Sequence, residues 1–185
     1  MYVFIIVLVL CFIYPVILYN KLVTLRQRVR EAWSTVETQL NRRYDLIPNL
    51  IEVVKGYAAH EKTTLEAVIT ARNIAVSANG SRKEKEKAEN VLTGTLKTLF
   101  AVSEGYPDLK SNENFLELQR ELADTENKIQ ACRLFYNTTV LSLNTKVETF
   151  PSNIIAGAFH IQAEQFFKMT EAERKQASVA PKVKF

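Results

Sequence analysis

Eighteen consecutive residues at the start of the chain, YVFIIVLVLCFIYPVILY from Tyr2 to Tyr19, contain no charge and no Asn or Gln. As a helix this run is about 27 Å long, close to the ~30 Å hydrocarbon core of a bilayer. A buried core helix of that length ordinarily keeps a polar face. The stretch therefore predicts a transmembrane helix. Tyr2, Phe4, Ile5, Leu8, Leu10, Phe12, Ile13, Val16, Leu18 and Tyr19 are the residues expected against lipid. Pro15 does not oppose this, because proline is tolerated in membrane helices where neighbouring groups satisfy the freed carbonyl. Tyr14 and Tyr19 suit the headgroup level.

A cleaved leader would need a basic segment before the apolar run and small residues after it. Met1 is followed directly by Tyr2, and Ile17-Leu18-Tyr19 offers no such site. A retained anchor is the expectation. Lys21, Arg26, Arg28 and Arg30 follow the run and no basic side chain precedes it. Such a flank places the rest of the chain in the cytoplasm. The same four side chains are candidates for anionic lipid headgroups, each contributing around 1 kcal/mol near such a leaflet. Orientation of the span is the alternative role, and both can hold.

Of 185 residues, about 165 remain beyond the anchor, enough for one domain with a real core. Five glycines and five prolines are too few for a loop-rich all-β chain or a disordered one. The net charge of +4 is mild, and its excess sits beside the apolar run. That pattern does not point to nucleic acid. Cys11 and Cys132 have no partner at metal-ligand or redox spacing.

From Lys21 on, the spacing is helical throughout. Leu22, Leu25, Val29, Ala32 or Trp33, Val36, Leu40, Tyr44 and Ile47 recur in steps of three and four. The anchor helix should run on into this segment until Pro48 kinks or breaks it. Helical spacing resumes at Ile51, Val54, Ala58, Leu65, Val68 and Ile69 and stops near Asn79-Gly80. Ser81-Arg82-Lys83-Glu84 fits a capping box. The charge run Arg82 to Glu89 reads as a solvated helix face, before an apolar face of Val91, Leu92, Leu96, Leu99, Phe100 and Val102. Gly105-Tyr106-Pro107 ends that helix. From Ser111 or Asn112 a seam runs over about five heptads: Phe115, Leu118, Leu122, Thr125, Ile129, Cys132, Tyr136, Val140, Leu143, Val147 and Phe150. Cys132 should be buried in it as a small hydrophobe. Pro151 closes the helix, and a short segment with Ile154, Ile155, Ala158, Phe159, Phe166 and Phe167 follows. The fold class expected is all-α, with the transmembrane helix continuing into an elongated antiparallel bundle of three to four long helices. The division is an anchor over 1–20, a bundle over 21–168 and a tail over 169–185, frayed or extended from Arg174.

WSTVETQLNRRYDLIPNLIEVVKGYAAHE, from Trp33 to Glu61, closely resembles the LemA family of bacterial membrane proteins, with RRYDLIPNL from Arg42 to Leu50 its most specific part. YPDLKSNENFLELQRELADTENKI from Tyr106, FYN at Phe135, Asn144, and FPSNIIA from Phe150 add to the resemblance, as does the apolar start followed by YNKLVTLR. Nearly the whole chain is covered. The resemblance implies a single anchor in the bacterial inner membrane and an elongated helical bundle. It implies no settled activity. Some relatives occur in magnetosome gene sets, an association that suggests a membrane-organising role.

No site of catalysis stands out. His60-Glu61 begins like a zinc-protease helix, but position 64 is Thr where the second His belongs. His60 reads as a surface or capping residue, and His160 lies far off in sequence. No G-x-S-x-G, G-x-G-x-x-G or G-x-x-x-x-G-K occurs. Glu117, Glu121, Asp124 and Glu126 have the spacing of a helical di-metal site but lack its Glu-x-x-His partner, so a solvated face is the reading. No cofactor and no metal is expected. The most informative polar cluster is Arg42, Arg43, Tyr44, Asp45, Pro48 and Asn49. It either repairs the carbonyl left free by Pro48, with an Arg42–Asp45 pair, or presents a contact surface to a partner or to another copy. Asn137, Asn144 and Asn153 either fix helix register or serve an interface. Trp33, Tyr44 and Tyr57 are possible aromatic anchors for a partner. The function expected is a non-enzymatic membrane-anchored scaffold working by self-association or partner binding. The alternatives are an adaptor or sensor for a membrane protease or kinase, and an enzyme with a polar pocket near Pro48.

Overall fold

The computed structural model describes residues 2–78 and 80–167, with the side chains at 3–11 outside the described set. The anchor residues Phe4, Ile5, Leu8 and Leu10, the Asn79 of the expected turn and the tail over 169–185 therefore lie outside the described residues. Everything described is helix, turn or irregular chain, with no strand. Among the described residues six helices follow in order: α1 (Tyr2–Tyr57), α2 (Lys62–Ser77), α3 (Arg82–Ser103), α4 (Pro107–Lys110), α5 (Glu113–Glu148) and α6 (Ser152–Ala158). Contacts divide the chain into two compact units. Of the described residues, the first takes those up to Leu40 with Glu126–Phe166, the second Asn41–Thr125 with Phe167.

In the first unit, Leu22, Val29, Ala32, Val36 and Leu40 of α1 are buried, as are Ile129, Tyr136, Val140 and Leu143 of α5. These are the seam positions read from the spacing. Burying each such aliphatic side chain is worth about 1.5–3 kcal/mol, which is why the seam and not local propensity decides the helix. Trp33 meets Tyr136 edge to face with ring centroids 5.4 Å apart, and Tyr19 meets Phe159 at 4.4 Å. An early α1 residue thus touches a segment beyond the end of α5, so the two helices run antiparallel. The seam frays toward its end: Val147 is half-buried and Phe150 exposed. Cys132, expected inside, is half-buried. Arg133 takes the inward place beside it.

α6 ends in a Schellman motif. The Ile161 N–H donates to the Ala156 carbonyl at 2.9 Å and the His160 N–H to that of Gly157 at 3.2 Å. His160 occupies the left-handed position at φ 52°, where glycine is usual. This turn sends Ile161 inward and leaves Phe159 outside. Residues 161–167 then run without helix, held by two side chains of α5. Tyr136 Oη donates to the Gln165 carbonyl at 2.8 Å. The buried Asn144 amide donates to the Glu164 carbonyl at 2.9 Å and accepts from its N–H at 2.8 Å. Of the three asparagines expected either to set register or to serve an interface, Asn144 is buried and bonded to backbone, while Asn153 is exposed. Asn144→Ala removes both bonds and is expected to cost about 1–2 kcal/mol. Hydrogen exchange should then speed at 161–167 ahead of the α5 core.

In the second unit, Ile47, Leu50, Ile51 and Val54 of α1 are buried, as are Leu65 and Val68 of α2, Leu92, Leu96 and Leu99 of α3, and Phe115 and Leu122 of α5. α3 starts as its sequence demands. The Ser81 hydroxyl accepts from the Glu84 N–H, and Glu84 Oε2 accepts from the Ser81 N–H at 3.0 Å. Pro107 opens α4, where its missing N–H costs nothing. Asn112 caps α5 by accepting from the Phe115 N–H at 3.0 Å, and its amide donates to Tyr57 Oη at 3.0 Å.

Two expectations fail here. Of the kink or break expected at Pro48, the break does not occur there: α1 continues to Tyr57, and the break falls at 58–61. The Pro48 ring is exposed, so it displaces no core neighbour. The apolar face on both sides of it stays buried. The real break carries no glycine or proline within it and closes through backbone bonds, Ala58 N–H to the Val54 carbonyl and Glu61 N–H to that of Ala58. The charge run Arg82 to Glu89 is not a solvated face throughout, because Ala88 and Glu89 are buried.

Candidate functional site

The second unit holds the polar cluster around Arg42–Asn49. α1 turns through about 100° per residue, so six nearby residues cannot all share one surface. Arg42, Asp45, Pro48 and Asn49 are exposed. Arg43 and Tyr44, also expected to face a partner, point inward and are 1% and 3% exposed. They fall on the same inner stripe as Leu40, Ile47 and Leu50, and packing there outweighs their polarity.

Their partner is Glu89 of α3, which is fully buried. One of its carboxylate oxygens accepts from Arg43 Nη2 in an ion pair, and the other accepts from the Tyr44 hydroxyl. Arg43 Nη1 donates to Thr93 Oγ1 at 3.1 Å, one helical turn along α3. A buried carboxylate is tolerable only when paired and hydrogen-bonded, and here both oxygens are engaged. Around this centre, Lys85 Nζ donates to the Ala75 carbonyl at 2.8 Å and stands 5.3 Å from the Tyr44 ring centroid. The cluster thus ties α1, α2 and α3 together.

The carbonyl that Pro48 leaves without its helical donor is that of Tyr44, four residues earlier. Arg72 Nε of α2 donates to it at 2.8 Å. Repair of the proline site is therefore real, but it comes from another helix. The Arg42–Asp45 pair does not form; Arg42 Nη2 lies 3.9 Å from Glu121 of α5. Glu89, Thr93, Arg72 and Lys85 were not legible as a site. A signal existed for Glu89: the apolar stripe Leu99, Leu96, Leu92 extends back through it, as the stripe of α1 runs through Arg43. Opposite charges on two inward stripes are what a buried pair looks like in sequence.

Chemically this arrangement locks helices. Both Glu89 oxygens, the two terminal nitrogens of Arg43 and the Tyr44 hydroxyl are engaged inside the cluster. Among the described residues no group of three or more His, Cys, Asp or Glu could hold a metal ion. Glu117, Asp124 and His60 are exposed, and Glu121 and Glu126 half-buried.

The remaining aromatic candidates also have internal roles. Trp33 Nε1 donates to Glu37 at 2.8 Å while its ring meets Tyr136. Tyr57 is exposed and accepts from Asn112. Tyr106 donates its hydroxyl to Glu61 Oε1 at 2.9 Å, bridging the segment before α4 to the turn before α2. That bond, partial burial and the charge of Glu61 hold the Tyr106 phenol above its ordinary range. The neutral phenol is favoured by the fold, so its contribution is complete below the unfolded value near 10 and is lost as pH rises through the folded one. Tyr106→Phe should remove a late-titrating component from the phenolate absorbance. The stability gap between the two chains should close only at alkaline pH.

Near the N-terminus, Phe12, Ile13, Tyr14, Val16 and Ile17 are exposed along α1, while Leu18 and Tyr19 are half-buried. Lys21, Arg28 and Arg30 are exposed and Arg26 is half-buried. Among the described residues no helix is long and apolar enough to cross a membrane. The side chains at 3–11 make up half of the apolar run and stand outside that set.

Comparison with known proteins places this architecture. A model of the LemA family matches residues 32–185. Protein LemA of Metamycoplasma hominis is 27% identical over 159 residues, which cover 84% of this chain and 71% of that protein. Magnetosome protein MamQ 2 of Paramagnetospirillum magneticum is 22% identical over 175 residues, 81% of this chain and 64% of its own length. Magnetosome protein MamQ of Magnetospirillum gryphiswaldense is 21% identical over 174 residues, 80% and 64%. This chain thus spans less than two thirds of the two magnetosome relatives. With the match running from Ala32 to the last residue, the chain belongs to the LemA family.

Proposed function

We propose that this protein is a non-enzymatic, single-span scaffold of the bacterial inner membrane, with its helical part in the cytoplasm, acting by self-association or by binding a protein partner. The observation that carries the reading is the uncharged run Tyr2–Tyr19, which enters α1 without a break and is followed by exposed Lys21, Arg28 and Arg30. Those three side chains suit anionic headgroups. The buried polar cluster is engaged internally, which favours contact over catalysis. Surfaces for contact are available in both units. Leu134, Phe135 and Leu141 are exposed on α5, and Arg42, Asp45, Pro48 and Asn49 on α1. The magnetosome relatives carry the name of a structure and not of a reaction, which fits the same reading. Copies assembled side by side would hold their anchors together and order or shape the bilayer.

Alkaline carbonate extraction of membranes carrying the full chain tests the anchor; the chain should stay with the membrane, and release would overturn the span. Phe185→Cys in intact cells should be labelled only after permeabilisation. Electron microscopy of the full chain in lipid nanodiscs or mild detergent should show assemblies with one repeating contact. Dispersed monomers at native density, with no protein captured by cross-linking, would remove the scaffold.

A further inference from the structure

We infer that the corner between α5 and α6 is a second membrane-contact site, an aromatic foot seated at the lipid headgroup boundary beside the point where α1 leaves the bilayer. This rests on the proposed anchoring by α1 and adds a surface to it. Phe150, Ile154 and Phe159 are 79%, 60% and 55% exposed, three large apolar side chains within ten residues. Singly exposed hydrophobes are ordinary, but three grouped this closely at one corner of the chain suit an interaction surface. Its level along α1 is fixed by two ring contacts inside the first unit. Tyr19 lies fourteen residues before Trp33, about 21 Å along α1, and α5 runs twelve residues beyond Tyr136, about 18 Å, before the corner that holds Phe150. The Trp33–Tyr136 contact ties the two helices at one end of that interval and the Tyr19–Phe159 contact at the other. The patch is therefore level with Tyr19, the last residue of the apolar run and the expected headgroup position. Lys21 is exposed two residues further on, a cation suited to phosphate at the same depth. Aromatic side chains favour this boundary, and an apolar face laid there sinks about 5–10 Å into it. The bilayer is the occupant chosen over a second copy because the patch continues the apolar surface of α1 at the height where lipid ends.

Depth-dependent quenching in a single-tryptophan chain tests this. Trp33 is the one tryptophan, so Trp33→Phe gives a background into which Phe150→Trp is placed. Val16→Trp reports the span, and Ala101→Trp, exposed on α3, reports solvent. Each full-length chain is reconstituted in vesicles of phosphatidylcholine and phosphatidylglycerol carrying bromine near the top of the acyl chains. Phe150→Trp should lose about half its fluorescence or more and shift to the blue, while Ala101→Trp does neither. Quenching at Val16→Trp without quenching at Phe150→Trp would overturn the foot and leave the anchor. Quenching at neither would overturn both. A blue-shifted, unquenched Phe150→Trp whose emission moves with protein-to-lipid ratio would assign the patch to a second copy and also overturn the proposal. If Trp33→Phe disturbs folding, Phe150→Cys carrying an environment-sensitive dye, in a chain with Cys11→Ala and Cys132→Ala, reads the same depth.

Discussion

Glu89→Ala is expected to be the most damaging single substitution in the helical part, lowering its stability by about 3–5 kcal/mol. The loss is not the strength of one bond. Arg43 is 1% exposed, and removing Glu89 takes away the buried carboxylate with which its guanidinium is paired. The Tyr44 hydroxyl loses its carboxylate acceptor in the same step and keeps the Ala75 carbonyl at 3.5 Å. Glu89→Gln keeps the shape and an acceptor but removes the countercharge, so it should fall between the parent and the alanine variant. Replacing both partners, Arg43→Met with Glu89→Leu, leaves no orphaned charge and should recover most of the loss. Urea unfolding of the full chain in mild detergent, followed by far-ultraviolet circular dichroism, measures all four. A Glu89→Ala cost below about 1 kcal/mol would mean the pair is solvated, since exposed pairs are worth no more than that.

This cluster marks where the sequence stops being legible. The seams of α1 and α5 could be read because burial repeats at helical spacing, and Leu22, Val36, Ile129 and Leu143 lie where that spacing puts them. The capping box of α3 could be read because it is local, with both its bonds spanning three residues. The buried pair could not, since Arg43 and Glu89 lie 46 residues apart and only packing brings them together. Glu89 also stands in a run of alternating charges that looks solvated by composition. The turn at 58–61 was hidden for a related reason: its backbone is satisfied by ordinary residues, while Pro48 advertises a break that the tertiary structure prevents. Of the six residues expected as a contact surface, four remain outside and two belong to the core. The charge of a residue is visible in sequence, but the side of the helix it takes is decided by its neighbours at three and four residues.

Arg72→Ala is expected to destabilise the second unit by about 1.5–3 kcal/mol, and Pro48→Ala should abolish most of that cost. The coupling follows from backbone chemistry. Proline has no N–H, so the Tyr44 carbonyl lacks its helical donor, and Arg72 Nε supplies one at 2.8 Å. Restoring an N–H at position 48 gives the carbonyl its ordinary partner, and the guanidinium becomes dispensable there. In a double-mutant cycle the two substitutions should therefore interact by about 1 kcal/mol or more, well outside the error for independent sites. Pro48→Ala alone should be mildly stabilising or neutral, because the ring is exposed and alanine favours helix. Arg72→Lys separates charge from geometry: an ammonium can approach the carbonyl but lacks the fixed planar Nε donor, so rescue should be partial. Strict additivity in the cycle would show that Arg72 matters through packing on α2 and not through the carbonyl. Interaction of the expected size would mean that α1 passes through Pro48 unbroken because α2 completes its backbone.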